Sequence, residues 1–278
     1  MVKIIADTTS CISVEDAKKW GIPYIPQIIV FGNDSYRDDT EMDSDAFLKR
    51  LRASSSLPKT AAPPPPLYYP VFEELKTNGE TGIVICPSNE VSGTIRSALT
   101  AAAEFPDVDI RVIDSYTIGT GLGSIVLNAK QWADAGLSGD EIAARIEEMR
   151  TRQKTYFVVD TLEYLYKGGR IGAARALMGS VLQVKPILFF YKQASAAESQ
   201  RTRKKALARL GELVLSDCAK DGTVNLAMMH ADALESANKL SDYFKSQLGL
   251  TDIPIRKVPP ALIVHAGPGV VAVSYFTK

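Results

Sequence analysis

Five short runs of this sequence bring hydroxyls, glycines and basic side chains together as an anion-binding or acyl-transfer site requires. His265 stands in Ile263-Val264-His265-Ala266-Gly267-Pro268-Gly269 and is one of only two histidines in the chain. The run reads as a strand-like apolar segment ending in a turn. Gly267 and Gly269 let backbone come close to whatever the ring touches, and Pro268 stiffens the turn. An imidazole placed there can anchor a ligand, act as a general base, or satisfy itself on a backbone carbonyl. Ser88-Asn89-Glu90-Val91-Ser92-Gly93-Thr94 follows an apolar run and precedes a helix-like one. Its hydroxyls and N–H groups can converge on a carboxylate or phosphate, or can simply cap the helix. Lys59-Thr60 and Asp7-Thr8-Thr9-Ser10 admit the same two readings. Arg170 follows Gly168-Gly169 and can clasp a carboxylate or phosphate bidentately, or pair with Glu163 or Asp160.

Elements of two periods must position these runs. Val2 to Ala6, Ile25 to Phe31, Gly82 to Cys86 and Asp109 to Ile113 are predicted strands, all but the second followed by a helical stretch. That alternation predicts an α/β fold with a largely parallel sheet. Ser13 with Asp16 marks a helix start, and Ile95 to Glu104, Gly121 to Ala135 and Glu141 to Arg152 read as helices. A second set begins at Tyr156 to Val159. It continues with Pro186 to Tyr191, a basic helix from Thr202, Val224 to Met229, Ile253 to Lys257 and Val270 to Tyr275. These predict a mixed sheet with helices on one side and a boundary at residue 153, giving domains 1–153 and 154–278. Ligands of parallel α/β sheets sit beyond the carboxyl ends of the strands. The loops at 7–12, 87–94 and 114–121 are therefore the ones to watch. Pro63 to Pro66 form a stiff, extended connector.

Composition narrows the field of functions. The 278 residues, 46% hydrophobic and 23% charged, suit a globular protein with a sizeable core. Thirty-two basic residues balance thirty-two acidic ones, so no overall field draws the protein to nucleic acid. No stretch reaches the roughly 18 apolar residues of a membrane span, and the N-terminus is too short and too soon acidic for a signal peptide. A cytoplasmic protein is expected. Cys11, Cys86 and Cys218 lack metal-site or CxxC spacing, so neither disulfides nor a metal is expected. Cys86 reads as core, whereas Cys11 follows a polar loop and reads as accessible. The sequence lacks G-x-S-x-G, G-x-x-x-x-G-K-[ST], H-E-x-x-H and a dinucleotide-type G-x-G-x-x-G. The polar groups suit binding better than difficult chemistry, and no cofactor is implied.

Read in order, several blocks resemble the DegV family. They are Ala6-Asp7-Thr8-Thr9-Ser10, Lys59-Thr60, Val91-Ser92-Gly93-Thr94-Ile95-Arg96-Ser97-Ala98, Val112-Ile113-Asp114-Ser115, and Asp160-Thr161-Leu162-Glu163-Tyr164-Leu165 with Lys167-Gly168-Gly169-Arg170-Ile171-Gly172. Lys185-Pro186-Ile187-Leu188, Arg201-Thr202-Arg203-Lys204-Lys205-Ala206 and His265-Ala266-Gly267-Pro268-Gly269 complete the series. Each block is weak alone, whereas their order and spacing across the chain are specific. The family is similar to the fatty-acid-binding subunits of bacterial fatty acid kinase, which feed acyl phosphate to phospholipid synthesis. The resemblance implies a two-domain protein that is no catalyst by itself. It would hold one long-chain fatty acid and present its carboxylate to a separate kinase subunit. Thr60, Ser92 and His265 would contact the carboxylate, with Arg170 near the head group and Ser10, Gly93 and Thr94 as supporting loop residues. Arg201, Arg203 and Lys204 would face the kinase, and contact with a membrane would be transient. Two positions depart from the family pattern. Ala61 and Ala62 replace a small hydroxylic residue and Gln, and Cys11 stands where an acidic residue is common.

The energetics fit an amphiphile. A tail of about 14 methylenes gains on the order of 11 kcal/mol on leaving water, less the costs of ordering and association. A buried carboxylate, in contrast, needs hydrogen-bond donors. The expected arrangement is an apolar tunnel through the first domain with the head group between the domains. Two competing activities use the same residues. In one, an esterase or thioesterase has Ser92 as nucleophile and His265 as base. In the other, a small-ketone-binding subunit resembles that of dihydroxyacetone kinase, where a histidine holds the ketone covalently.

Overall fold

The computed structural model describes residues 1–179, 184–221 and 224–278. Four parallel strands form the first sheet, in the spatial order Tyr24–Ile25, Val2–Asp7, Thr81–Cys86, Ile110–Asp114. The central strands are apolar on both faces because helices cover both. Ile4, Ala6, Ile83 and Ile85 pack with buried residues of Gly119–Asp134 and Gly139–Arg152. Ile5, Val84 and Cys86, of opposite parity, pack with those of Tyr69–Asn78 and Thr94–Ala103. Ser138 and Glu141 close a capping box on Gly139–Arg152, and Ser13 caps Val14–Lys19 by accepting the Asp16 N–H, so these local signals act as read.

The second sheet has six strands. In spatial order they are Gln193–Gln200, Lys185–Tyr191, Gln153–Val158, Val271–Phe276, Ala227–His230 and Ile255–Lys257. All neighbours are antiparallel except the last pair, so the sheet is mixed. Strand parity divides its residues. Val158, Ile187, Val271 and Val273 pack against the helices Arg203–Asp217 and Leu234–Leu248. Phe157, Leu188, Phe190 and Ala272 face the other way, toward Ser44–Ala53 and Pro260–Ala266. Helices therefore lie on both faces of this sheet, not on one side as the periodicity suggested.

Two segments fold differently from expectation. The predicted strand Ile25 to Phe31 is two strands interrupted at Pro26-Gln27. Tyr24–Ile25 joins the parallel sheet, while Ile28–Phe31 pairs with Asp34–Arg37 and Lys59–Ala61 in a separate three-stranded antiparallel sheet. Proline cannot donate to a ladder, so the chain changes partners there. The strand-like segment before Gly267 is instead the helix Pro260–Ala266, with Pro260 at its first turn. Proline is pre-organised for that position and outweighs the β-branched Ile263 and Val264.

Candidate functional site: a polar-ended cavity

A cavity of ≈ 970 Å³ of empty space, counting its open mouth, lies against the inner face of the six-stranded sheet. Phe157, Phe190, Met229 and Ala272 line it from the strands, Leu165 and Leu262 from short helices, and Val91 and Ile118 from the first half of the chain. Its polar lining is Thr9, Gln27, Thr60, Ser92, Arg170 and His265, with Thr155 at a separate position. Three residues far apart in sequence, Thr60, Ser92 and His265, thus meet at one site.

His265 occupies the last turn of Pro260–Ala266. Its Nε2 lies 2.9 Å from Thr60 Oγ1, and Thr60 is fixed by the strand pairing of Ile29 with Thr60. The other ring nitrogen, Nδ1, is buried without a partner among the described residues, and Gly168 stands directly against it. A methyl group at 168 would collide with Nδ1 and with the Tyr164 carbonyl oxygen. The Gly-Gly-Arg run is therefore built around the ring, and a hydrogen on Nδ1 would have no acceptor. The favoured tautomer carries its hydrogen on Nε2, which donates to Thr60 and turns the threonine hydroxyl hydrogen outward. Burial, reinforced by the nearby Arg170 charge, lowers the His265 pKa from 6.5 to about 4, so the ring is neutral at physiological pH. The turn after it is equally constrained. At Gly267 (φ +76°) a side chain would strike the Tyr164 ring, and at Gly269 (φ +84°) the Asp160 carboxylate.

A second relay ends at Ser92. Gln27 Nε2 donates to Asp7 Oδ2 at 2.8 Å and to Thr94 Oγ1 at 2.9 Å. Thr94 Oγ1 and Ser92 Oγ are 2.9 Å apart, and Ser92 Oγ also accepts the Thr94 backbone N–H at 3.2 Å. Thr94 accepts from Gln27, and when its hydroxyl donates to Ser92 the Ser92 hydrogen is free for the cavity. Behind this relay lie two buried carboxyls. Asp7 accepts from the backbone N–H and hydroxyl of Thr9, and Asp38 accepts from the Thr8 hydroxyl at 2.7 Å and the Gln27 N–H at 2.8 Å. Burial raises their pKa values from 3.8 to about 6 for Asp7 and about 7 for Asp38. Sequence reading missed Gln27 and Asp38. Their signal, a glutamine after proline and an acid in a charged loop, is too ordinary to single out.

Arg170 completes the polar set. Its Nε donates to the Val91 carbonyl at 3.1 Å and Nη1 to the Gly168 carbonyl at 2.7 Å. The two acids that compete for it are engaged elsewhere, Glu163 with Lys167 and Asp160 with Arg203. Among the described residues no carboxylate neutralises this guanidinium. The site therefore gathers two hydroxyls, a neutral imidazole and a guanidinium that no carboxylate among the described residues neutralises beside an apolar chamber, which suits an amphiphilic anion.

Several expected residues lie elsewhere. Ser10 donates to the Asp7 carbonyl at 2.8 Å and sits 3.0 Å from the Tyr24 hydroxyl, with no place in the cavity lining. Gly93 lines the cavity, whereas Thr94 is buried behind Ser92. Cys11 is buried, not accessible, and its Sγ lies 3.6 Å from Met229 Sδ. Cys86 and Cys218 are also buried, and all three cysteines are free. Arg201 and Lys204 are exposed, but Arg203 is tied inward, 2.6 Å from Asp160 and bonded to the Gly269 carbonyl. Among the described residues no group of side chains is arranged to hold a metal ion, and no helix is long and apolar enough to cross a membrane.

Fold and site together define an α/β protein of three sheets with an apolar cavity bordered on one side by hydroxyl and guanidinium donors. The family model described as "Uncharacterised protein, DegV family" matches residues 1–278. A DegV domain-containing protein of Halalkalibacterium halodurans is 32% identical over 100% of this chain and 99% of its own. The Bacillus subtilis protein DegV is 31% identical over the same shares. The chain belongs to the DegV family. Its fold matches that of DegV from B. subtilis, a fatty acid binding protein, with a TM-score of 0.89 at 31% identity over 100% of this chain and 99% of that one. It also matches a DegV family protein from Thermus thermophilus described for fatty acid binding, with a TM-score of 0.92 at 26% identity and the same coverage.

Proposed function

We propose that this chain binds one long-chain fatty acid and presents its carboxylate to a separate kinase subunit for conversion to acyl phosphate. The observation that carries the binding is the Arg170 guanidinium, which no carboxylate among the described residues neutralises, lining with the Thr60 and Ser92 hydroxyls an apolar cavity. Thr60 and Ser92 donate directly to the carboxylate, His265 holds the Thr60 hydroxyl in its donating orientation, and Arg170 supplies the charge. The acyl tail lies along Phe157, Met229 and Ala272. These wall residues follow position 153, so the tail rests between residues 1–153 and 154–278 as two domains, not inside the first alone. The fatty acid binding of the B. subtilis and T. thermophilus relatives supports the same reading.

Native mass spectrometry of protein purified from bacteria tests the binding. A co-purified fatty acid is expected, and protein that is empty and ignores added oleate overturns the reading. The kinase step is tested by acyl phosphate formation with a purified fatty acid kinase catalytic subunit, in which Arg201→Glu with Lys204→Glu should slow transfer without releasing lipid. Arg203 is unsuited to that test because its reversal would break the Asp160 pair and loosen the turn after His265. Replacing His265 with Ala should leave the tail bound but impair transfer.

The esterase reading fares worse on geometry. Ser92 bonds Thr94 while His265 Nε2 bonds Thr60, and no acid orients Nδ1, so the nucleophile and base are not coupled. Absence of fluorophosphonate labelling at Ser92 is the expected outcome. A small ketone would leave most of the apolar chamber unfilled.

A further inference from the structure

Four buried polar side chains cluster on the cavity face of the six-stranded sheet, away from the head-group residues. They are Thr120 (3% exposed), Gln153 (1%), Thr155 (1%) and Ser274 (0%), and Thr155 lines the cavity. Thr120 Oγ1 donates to Ser274 Oγ at 3.0 Å, Ser274 Oγ and Thr155 Oγ1 are 2.9 Å apart, and Gln153 Nε2 donates to Thr155 Oγ1 at 2.7 Å. The hydrogens do not balance. Ser274 and Thr155 share one bond, so only one of their two hydroxyl hydrogens is used, and Gln153 Oε1 has no partner among the described residues. Turning the Gln153 amide over satisfies Oε1 but orphans its NH₂ group. With the amide as placed, one hydroxyl hydrogen of the Ser274–Thr155 pair lacks an acceptor among the described residues, which native interiors avoid, and Thr155 can turn it into the cavity.

Thr155 is the member of this cluster that lines the cavity, and it lies three residues before the end of Gln153–Val158, the strand that leads toward the turn after His265. At the rise of a strand the five residues from Thr155 to Asp160 span at most about 16 Å, and Asp160 stands against Gly269 in the turn after His265. A chain of about a dozen carbons covers that span at roughly 1.25 Å per carbon, from 1.52 Å bonds and tetrahedral angles. We propose that the Thr155 cluster is a second polar subsite, which favours acyl chains carrying a hydroxyl toward the tail. The ligand oxygen supplies the acceptor that the cluster lacks, and an unsubstituted chain leaves it unmet. This inference rests on the fatty acid reading above and adds the chemistry of the tail.

Calorimetric titration of the delipidated full chain with hexadecanoate and its 2-, 12- and 16-hydroxy derivatives tests it. The wild type should bind the 12- or 16-hydroxy acid about tenfold tighter than hexadecanoate, with no such gain for the 2-hydroxy acid. Thr155→Val, which keeps the shape, should abolish the gain, and Thr155→Ser should retain it. No preference in the wild type, or a preference unchanged in Thr155→Val, overturns the subsite while leaving fatty acid binding intact. Failure to bind any of the four acids overturns both.

Discussion

His265 shows how one ring can be held by what is missing beside it. Gly168→Ala would push a methyl into Nδ1 and the Tyr164 carbonyl, so we expect a loss of about 1–3 kcal/mol in urea unfolding, together with weakened fatty acid binding. The buried carboxyl of Asp38 makes a separate, pH-dependent contribution. Its folded pKa of about 7 lies above the ordinary 3.8, so this contribution is full below about 4 and is lost as pH rises through 7. Asp38→Asn retains an oxygen for the Thr8 and Gln27 donors. Its stability relative to wild type should therefore improve between pH 5 and 8, and a flat difference in urea midpoints across that range would contradict the assignment. His265 runs the opposite way. Its pKa falls from 6.5 to about 4, so its contribution is present above 6.5 and is lost as pH falls toward 4. His265→Gln should remove that acid-side loss from the same titration.

Among the elements, the short helix Pro260–Ala266 and the turn after it carry the arrangement. Arg203 locks that turn from the far side of the sheet by pairing with Asp160 and bonding the Gly269 carbonyl. Both charges are partly exposed, so Arg203→Ala should cost only about 1 kcal/mol. Its clearer signature should be faster amide exchange at residues 267–269 and a weaker hold on the ligand carboxylate. The parallel strands and their helices were legible in sequence because both faces of each central strand are apolar and the helix caps are local. The helix carrying His265 was misread because Ile263 and Val264 favour a strand, and the contrary signal was Pro260 alone. The three-stranded sheet holding Thr60 escaped notice because a single proline redirects the chain from one sheet to another.

For the whole molecule, the cavity makes stability depend on occupancy. A ligand that binds only the folded chain adds about 2.7 kcal/mol at a hundredfold excess over its Kd. Delipidated protein should accordingly melt several degrees below oleate-loaded protein in calorimetry, with a smaller gap for Ser92→Ala. Equal melting temperatures would mean that the chamber is not the fatty acid site.

The sequence by itself determined the α/β class and the mixed character of the second sheet, because periodicity is a local property of the chain, and motif order singled out Thr60, Ser92, Arg170 and His265, which line one cavity. The tertiary structure alone decided which polar groups stand behind Thr60 and Ser92, that Ser10 and Arg203 bond scaffold groups, and that the apolar wall comes largely from residues beyond 153. Those facts depend on strand parity, on the close approach of Gly168 to an imidazole nearly a hundred residues away, and on which buried donors find acceptors. None of these is fixed until distant segments pack.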